Sequence, residues 1–376
     1  MFALRAFLHQ ALPAVWQRRG WAARLLWPLS RLYAWGWRRH QRQAAQAPAP
    51  RLPVPVLVIG NVIAGGAGKT PTCIAVVQHF QRQGLRVGVL SRGYGRQATA
   101  PACLEVDGST PAEHAGDEPL LIHRHTGAPV VVCAQRLQGA RQLLQWHPDT
   151  QLLVCDDGLQ HLALPRDGEI CVMDERGIGN GWLLPAGPLR EPWPRRSTIL
   201  LQIASPYTAP ADTSQRTPAT LPIPPGQAAC HARRSLAEHA LRADGQRHAL
   251  ADWAQAGQAV TALAGIAQPE RFFSMLRAAG LQVASSAALP DHASSAELLQ
   301  HAQCLLAQGL PVLCTEKDAV KLWPHLSQRP QAPQSPQLWA VPLALQAEPA
   351  FFTALNDWWQ AQQTLRHITA NKERPS

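Results

Sequence analysis

Twelve consecutive residues carry the strongest chemistry in the chain: Gly60-Asn61-Val62-Ile63-Ala64-Gly65-Gly66-Ala67-Gly68-Lys69-Thr70-Pro71. They follow the apolar, β-branched run Val54–Ile59 and precede Ile74, Val76, Val77 and Phe80, which have helical spacing. Strand, glycine loop, helix is the setting in which such a loop binds phosphate. Its glycines let backbone N–H groups curl round an anion, and the helix N-terminus adds positive potential. Lys69 would reach the outer phosphates and the Thr70 hydroxyl a Mg²⁺ ion. The strict pattern asks for glycine at position 63, where this chain has isoleucine, so Gly65-Gly66-Ala67-Gly68-Lys69-Thr70 reads as a variant loop. Downstream, Gln151–Cys155 is an apolar strand that ends in Asp156 and Asp157. A buried strand delivering carboxylates beside a phosphate loop suits Mg²⁺, held directly or through water, although two Asp after a strand also make an ordinary turn.

Other candidates are weaker when read alone. Gly93-Tyr94-Gly95-Arg96-Gln97-Ala98 imitates a dinucleotide fingerprint, but Ala100-Pro101 stands where its helix would begin. It reads better as a flexible loop carrying Arg92, Tyr94 and Arg96 toward a ligand. Asp117 is an acid near a helix start, and His292 alone reads as a satisfied or solvated histidine. Arg190 and Glu191 lie in a Gly/Pro-rich loop, where they would form a solvated ion pair. His123, Arg124 and His125 read as part of a helix and propose no metal site. Lys317 and Asp318 open a helix after the strand Pro311–Cys314, with no role assigned.

The elements that must position these groups alternate along the chain. Strands at 130–132, 169–173, 259–264 and 311–314 alternate with helices at 136–146, 270–279 and 297–307, the pattern of parallel sheets covered on both faces. The fold class is therefore α/β: a P-loop NTPase-type parallel sheet flanked by helices, a second, smaller α/β domain, and a basic N-terminal helical segment. The expected organisation is 1–45 for that segment, 46–210 for the nucleotide-binding core, 225–345 for the second domain, and 346–376 for a C-terminal helix and tail. Ala44–Pro50 reads as a linker, 204–228 as a Pro-, Ala-, Thr- and Ser-rich boundary, 325–337 as a loop, and 351–359 as an amphipathic helix with a frayed tail from residue 370.

Length and charge narrow the function classes. The 376 residues are 46% hydrophobic, which excludes a wholly disordered chain. The net charge is +10, but the first acid is Glu105, and residues 1–104 carry 13 Arg and one Lys. That third holds +14 and the remainder −4, a field that calls for an anionic partner. Lysine is scarce: Lys69, Lys317, Lys321 and Lys372 are all there are. Eight cysteines without C-x-x-C pairs read as buried reduced thiols, which points to the cytosol. Residues 1–40 mix Trp, Leu and Phe with Arg and are interrupted by Pro13 and Pro28. No uncharged apolar run there is long enough to span a bilayer, and Arg18-Arg19 follow the apolar stretch instead of preceding it as in a secretory signal. The segment reads as an interfacial helix with Arg toward anionic lipid, or as a helix packed on the domain behind it; both can hold. No nucleic-acid motif is present, and no nucleic acid or obligate protein partner is expected.

Taken in order, Gly60-Asn61 through Pro71, Ser91–Arg96, Gly116-Asp117-Glu118-Pro119, Asp156–His161, Gly179-Asn180-Gly181, Leu184-Pro-Ala-Gly-Pro-Leu-Arg-Glu-Pro192, Pro290-Asp291-His292 and Thr315-Glu316-Lys317-Asp318-Ala319 resemble the tetraacyldisaccharide 4′-kinases. These are the lipid A 4′-kinases of Gram-negative bacteria, and the resemblance runs from about residue 50 to 320. It implies ATP-dependent phosphorylation of the 4′-hydroxyl of a tetraacylated glucosamine disaccharide 1-phosphate, giving lipid IVA at the cytoplasmic face of the inner membrane. It also implies two α/β/α domains with the active site in the cleft between them. Site roles follow from the same likeness. Lys69 and Thr70 would hold phosphate and Mg²⁺, within a loop of Gly65, Gly66, Ala67, Gly68 and Pro71. Asp117 matches the base, with His292 paired to it. Asp156 and Asp157 would serve the metal, with Gln160 and His161 nearby. Arg190 and Glu191 match an essential pair near phosphates and metal, and Tyr94 and Arg136 match positions near substrate and nucleotide phosphates. After His292 the chain reads Ala293-Ser294-Ser295, where many relatives have an aromatic-containing segment. A rival of another class is a membrane-associated P-loop ATPase switch without a lipid acceptor.

Overall fold

The computed structural model describes residues 12, 14–46, 51–94, 96, 100–204, 223–291, 293–326 and 337–372. In chain order its first elements are α1 (Trp21–Gln46), β1 (Val56–Gly60), α2 (Lys69–Arg82), β2 (Val87–Ser91), β3 (Cys103–Val106), α3 (Ala112–Ala115), α4 (Asp117–Thr126), β4 (Val130–Cys133) and α5 (Arg136–Trp146). Then come β5 (Leu152–Cys155), β6 (Gly168–Asp174), β7 (Ile199–Ala204), β8 (Ala228–Leu236), β9 (His239–Leu241), β10 (Arg247–Ala249), α6 (Leu250–Gln255), β11 (Ala259–Ala264) and α7 (Pro269–Ala278). The last are β12 (Gln282–Ala288), α8 (Ser295–Leu306), β13 (Val312–Thr315), α9 (Glu316–Leu326), β14 (Leu338–Val341), β15 (Leu343–Ala347) and α10 (Pro349–Lys372).

Two compact units result. The first comprises Met1–Ser91, Gln135–Arg233 and Ala347–Ser376; the second comprises Arg92–Ala134 and Arg234–Gln346. Residues 92–134 thus cluster with 234–346, whereas the sequence reading placed them within a 46–210 core. The packing of α4 on α9 accounts for this, since Lys321, Lys317, Glu316 and Trp323 all reach α4 side chains.

In the first unit, six strands run parallel in the order β8-β7-β6-β1-β5-β2. Every residue of β1, β2 and β5 is buried, so both sheet faces are covered. Because β1 and β5 are parallel neighbours, with Val58 opposite Cys155, the loop after β1 and the carboxylates after β5 emerge at one edge. Helix α10 belongs to this unit. It buries Phe351, Leu355 and Trp358, and the Trp358 indole lies against Gly168, where any Cβ would collide with it. The second unit has a sheet of order β10-β9-β14-β13-β11-β12, parallel from β14 to β12 and antiparallel beyond. One core joins it to α8 and α9 through Leu298, Leu322 and Trp323. Another joins it to α6 and α7 through Trp253, Phe272 and Phe273.

Helix α1 continues through Pro28, where the sequence alone suggested a break. Proline removes one backbone bond at a cost of about 3 kcal/mol, offset here by burial of Ala23, Ser30 and Trp37 along one face. The helix also consumes Ala44–Gln46 of the expected linker; 47–50 lie outside the described residues, as do 1–11, 205–222 and 327–336. At the other end, α10 runs on to Lys372, well past the expected 351–359. Among the described residues no helix is long and apolar enough to cross a membrane.

Candidate functional site

The loop after β1 is held from three sides. Asn61, fully buried, donates from Nδ2 to the Gly65 carbonyl (3.1 Å), while its Oδ1 accepts from Lys69 Nζ (3.4 Å) and Arg190 Nη1 (3.2 Å). Arg176, paired with Asp174 at the end of β6, donates to the carbonyls of Ala64 (3.3 Å) and Gly66 (2.8 Å). A trans peptide points its C=O and the next N–H in opposite directions. With the carbonyls of 64, 65 and 66 taken by Asn61 and Arg176, the N–H groups of Gly65, Gly66 and Ala67 face away from them, an arrangement that suits an anion. Gly65 has φ 93°, and a Cβ there would lie 3.1 Å from Arg176 Nη1. Lys69 opens α2, Thr70 is buried in its first turn, and that turn contains no acid to cancel the helix potential. Pro71 costs no bond there, because N–H groups of a first turn have no helical acceptor.

Ile63, the departure from the strict loop pattern, makes a β-bridge to Leu189 and is buried. The neighbouring backbone bonds, Ala64 N to Pro188 O (2.8 Å) and Arg190 N to Val62 O (2.7 Å), stitch the 184–191 segment onto the phosphate loop. A glycine at 63 would lose that apolar seam. Helix α1 and the turn before it clamp this region from outside: from α1, Ser30 Oγ donates to Leu183 O (2.8 Å) and Tyr33 Oη to Arg190 O (2.7 Å), and ahead of it Trp16 Nε1 donates to Pro185 O (2.9 Å).

The carboxylates gather on these cations. Asp157 is the one non-glycine residue with positive φ (48°) among the described residues. That left-handed conformation turns its Oδ1 to within 3.1 Å of Arg190 Nη1 and 3.8 Å of Lys69 Nζ. Burial works against its charge, but Lys69 and then Arg190 outweigh burial and hold its carboxyl below the ordinary range. Asp156 is buried beside it, and Arg136, buried at the start of α5, acts on Cys155 and Asp157. Burial pushes the Cys155 thiol up to about 11. Glu191 receives Gln160 Nε2 and Arg195 Nη1, each at 3.0 Å; burial raises its carboxyl and Arg195 opposes the rise. Gln160 also donates to Asn61 O (3.0 Å), and Arg195 continues to Glu169, which Arg166 binds in turn. His161 closes the turn after β5 through backbone bonds from its N to Gly158 O (2.9 Å) and from Leu164 N to its carbonyl (3.1 Å). Thr70, Asp156, Asp157 and Glu191 are all hard oxygen donors. Among the described residues no group of three or more His, Cys, Asp or Glu is placed to hold a metal ion. Mg²⁺ asks for less: one or two carboxylates suffice and water and phosphate oxygens fill the rest of its shell, so oxygen donors of this kind suit it.

A second group of charges lies wholly within the second unit. Asp117 opens α4 after Gly116 (φ 89°), and its Oδ1 accepts from Glu118 N (3.1 Å). Lys321 Nζ lies 3.4 Å from Asp117 Oδ2, Lys317 pairs with Glu118, and His125 Nε2 meets Glu316 Oε1 at 2.8 Å. Burial opposes the charge on Lys317, yet Glu118 and Asp117 hold its ammonium above the usual lysine range. Glu316 raises His125 against burial. Tyr94 is exposed, with its carbonyl against Gly116. Arg96 is not turned toward a ligand: its guanidinium donates to the Val132 carbonyl on β4 and to the Ala100 and Pro101 carbonyls of its own loop. His292, Gly95 and Gln97–Thr99 lie outside the described residues.

The structure therefore brings Lys69, Arg190, Asp157, Glu191 and Gln160 together around Asn61 in one unit, and sets Asp117 among lysines in the other. Asn61, Arg176, Arg195 and Lys321 had no assigned role in the sequence. For Lys321 a signal existed: it follows Lys317 by four residues on a helix, in a chain nearly devoid of lysine.

A profile of the family described as Tetraacyldisaccharide-1-P 4′-kinase matches residues 22–360. The chain belongs to that family. It is similar to the tetraacyldisaccharide 4′-kinase of Polaromonas naphthalenivorans (strain CJ2), 49% identical over 353 residues that cover 93% of this chain and 94% of that one. A second such kinase, from Acidovorax sp. (strain JS42), is 50% identical over 352 residues, again covering 93% and 94%. Among solved structures, LpxK from Aquifex aeolicus in complex with ATP superposes with a TM-score of 0.71 at 24% identity, over 90% of this chain and 99% of that one. At that identity the likeness is one of fold, and it is the α/β fold of a P-loop kinase. The expected fold class holds for this tetraacyldisaccharide 4′-kinase family member.

Proposed function

We propose that the chain transfers the γ-phosphoryl group of ATP to the 4′-hydroxyl of a tetraacylated glucosamine disaccharide 1-phosphate, giving lipid IVA and ADP. The observation that carries this reading is the convergence of Lys69 and Arg190 on Asn61 and Asp157, at the N-terminus of α2, in a chain that the kinase family spans from residue 22 to 360. Phosphoryl transfer asks a protein mainly to hold phosphates in place and neutralise charge. The N–H groups of Gly65–Gly68 and the Lys69 ammonium receive the outer phosphates, and Lys69 and Arg190 exchange their carboxylate partner for phosphate oxygens. Thr70, Asp156, Asp157 and Glu191 are the residues that would hold Mg²⁺, which would supply further neutralisation of phosphate charge. Gln160 and Arg195 keep the Glu191 carboxylate in one orientation. Arg136 adds positive charge behind the metal ligands, and Tyr94 offers an exposed ring to substrate. Asp117 takes the proton of the attacking hydroxyl, with His292 as its partner.

The membrane reading rests on α1. With Ala23, Ser30 and Trp37 buried, the opposite face leaves Trp21, Leu25, Leu29, Leu32 and Trp35 exposed, edged by Arg24, Arg31, Arg38 and Arg42. Such a face lies in the headgroup layer of an anionic leaflet and keeps the enzyme beside an acylated substrate, at the cytoplasmic face of the inner membrane. A switch without a lipid acceptor has only the phosphate loop in its favour and leaves Asp117 without work.

The deciding experiment follows ³²P from ATP-Mg²⁺ onto tetraacyldisaccharide 1-phosphate. Asp117→Ala is expected to abolish transfer while ATP binding persists, and Lys69→Ala to lose both. Full transfer by Asp117→Ala would remove the base; ATP turnover with no phosphate on lipid would favour the switch.

A further inference from the structure

The segment Thr315-Glu316-Lys317-Asp318-Ala319 has no part in the phosphate chemistry above, yet its contacts form a pattern. Asp318, fully buried, accepts from Gly265 N (3.0 Å) and Thr315 Oγ1 (2.6 Å), which ties the first turn of α9 to the end of β11. From that anchored turn and the one after it three side chains reach along α4: Glu316 to His125, Lys317 to Glu118, and Lys321 to Asp117. Lys317 and Lys321 are one helical turn apart and so share a face of α9. Lys321 also donates to Ala293 O (3.4 Å), which fixes its ammonium from a second direction. The Lys321 and Asp117 side chains are only 12% and 5% exposed, so each charge relies on close polar partners, of which the other is one.

A carboxylate that is to take a proton must be ionised before the hydroxyl arrives and must present an oxygen in a set direction. A cation fixed on Oδ2 meets both needs. We propose that Lys321 is a positioning residue for Asp117, and that the 315–319 motif serves to plant this lysine beside the carboxylate. The inference rests on the reading of Asp117 as the base. The charged groups on the elements packed against α4 are Lys317, Asp318, Glu316, Lys321 and His325 on α9, Glu113 and His114 on α3, and Glu105 on β3, with Glu118 on α4 itself. Asp291 adds a negative charge near Lys317. Lys317 pairs with Glu118 and also lies in the field of Asp117, whereas the ion pair described for Asp117 itself is with Lys321, which acts on the buried Asp318 as well.

The test measures kcat and KM against pH for Lys321→Met, Lys321→Gln and Lys321→Arg, with Asp117→Asn as the reference. In Lys321→Met the acid limb of kcat/KM moves up by about one pH unit or more, as loss of an opposite charge at this distance requires, and kcat falls about tenfold through misplacement. The KM for ATP stays unchanged. Lys321→Gln keeps a donor without the charge and shows the same shift, which covers the case of a Met variant that does not fold. Lys321→Arg returns the midpoint toward wild type. A purely structural role lowers thermal stability and the active fraction but leaves the acid limb in place, and that result in folded Met or Gln protein overturns the proposal. Activity in Asp117→Asn would instead remove the base on which it rests.

Discussion

Replacing Arg24, Arg31, Arg38 and Arg42 by glutamine strips one edge of α1 of four positive charges without touching its buried face. All four are exposed, and with about 100° between successive residues they fall within roughly a 40° arc flanking the Trp21–Leu25–Leu32 stripe. Each basic residue near an anionic surface is worth about 1 kcal/mol at physiological salt. Four give about 4 kcal/mol, which at 1.4 kcal/mol per decade is a partition coefficient smaller by roughly 10³. The assay is co-sedimentation with vesicles containing anionic phospholipid, repeated on neutral vesicles and at raised salt. The variant should lose binding to anionic vesicles and match wild type on neutral ones, and high salt should bring wild type down to the variant. Removing the same charge through Arg82, Arg141, Arg247 and Arg277, exposed on other elements, should cost far less. Equal losses from both sets would mean that net charge matters and α1 does not. Undiminished binding by the α1 variant would sink the interfacial reading.

Four further outcomes follow from the geometry. Asn61→Ala strands the Gly65 carbonyl and loosens Lys69 and Arg190; thermal unfolding should report a loss of about 1–3 kcal/mol, and ATP affinity should fall with it. Gly65→Ala forces a side chain into a left-handed turn against Arg176, costing about 1–2 kcal/mol, whereas Gly66→Ala meets nothing within 4 Å and should leave the melting temperature near wild type. His125 is raised by Glu316, so the pair contributes stability that is full below the unfolded histidine value of about 6.5 and is lost as pH rises through the higher folded value. Two-dimensional NMR should show His125 titrating above that value, and His125→Ala should flatten this part of the stability profile. For Asp157, whose carboxyl is lowered, the sign reverses: its contribution is present above the unfolded value and fades only as pH falls through the folded one. Acid unfolding of Asp157→Asn should therefore be less steep than that of wild type.

What the sequence disclosed was local, and what it withheld was long-range. The glycine loop, its strand and its helix are contiguous, so composition and spacing exposed them together. The parallel β1–β5 pair followed from two apolar runs, and with it the shared edge. Arg190 and Asp157 are 33 residues apart, and their contact depends on a bridge between Ile63 and Leu189 that no periodicity announces. Arg176 reads as an ordinary loop arginine until Asp174 is seen to aim it at the carbonyls of 64 and 66. Pro28 misled because its local cost was visible, while the tertiary contacts of Ser30 and Tyr33 that offset it were not. The membership of 92–134 in the second unit was hidden for the same reason: it is decided by side chains of α9, some 200 residues downstream.

One consequence concerns the order of synthesis. The nucleotide-binding unit takes its last helix from residues 349–372, and its sheet is interrupted in sequence by the stretch that carries Asp117. A ribosome adds these parts over tens of seconds, and until Trp358 arrives the floor beneath Gly168 has no cover. The half that handles ATP can therefore be completed only after the half bearing the proposed base has been translated, so a nascent or prematurely terminated chain would be poorly equipped to hydrolyse nucleotide on its own.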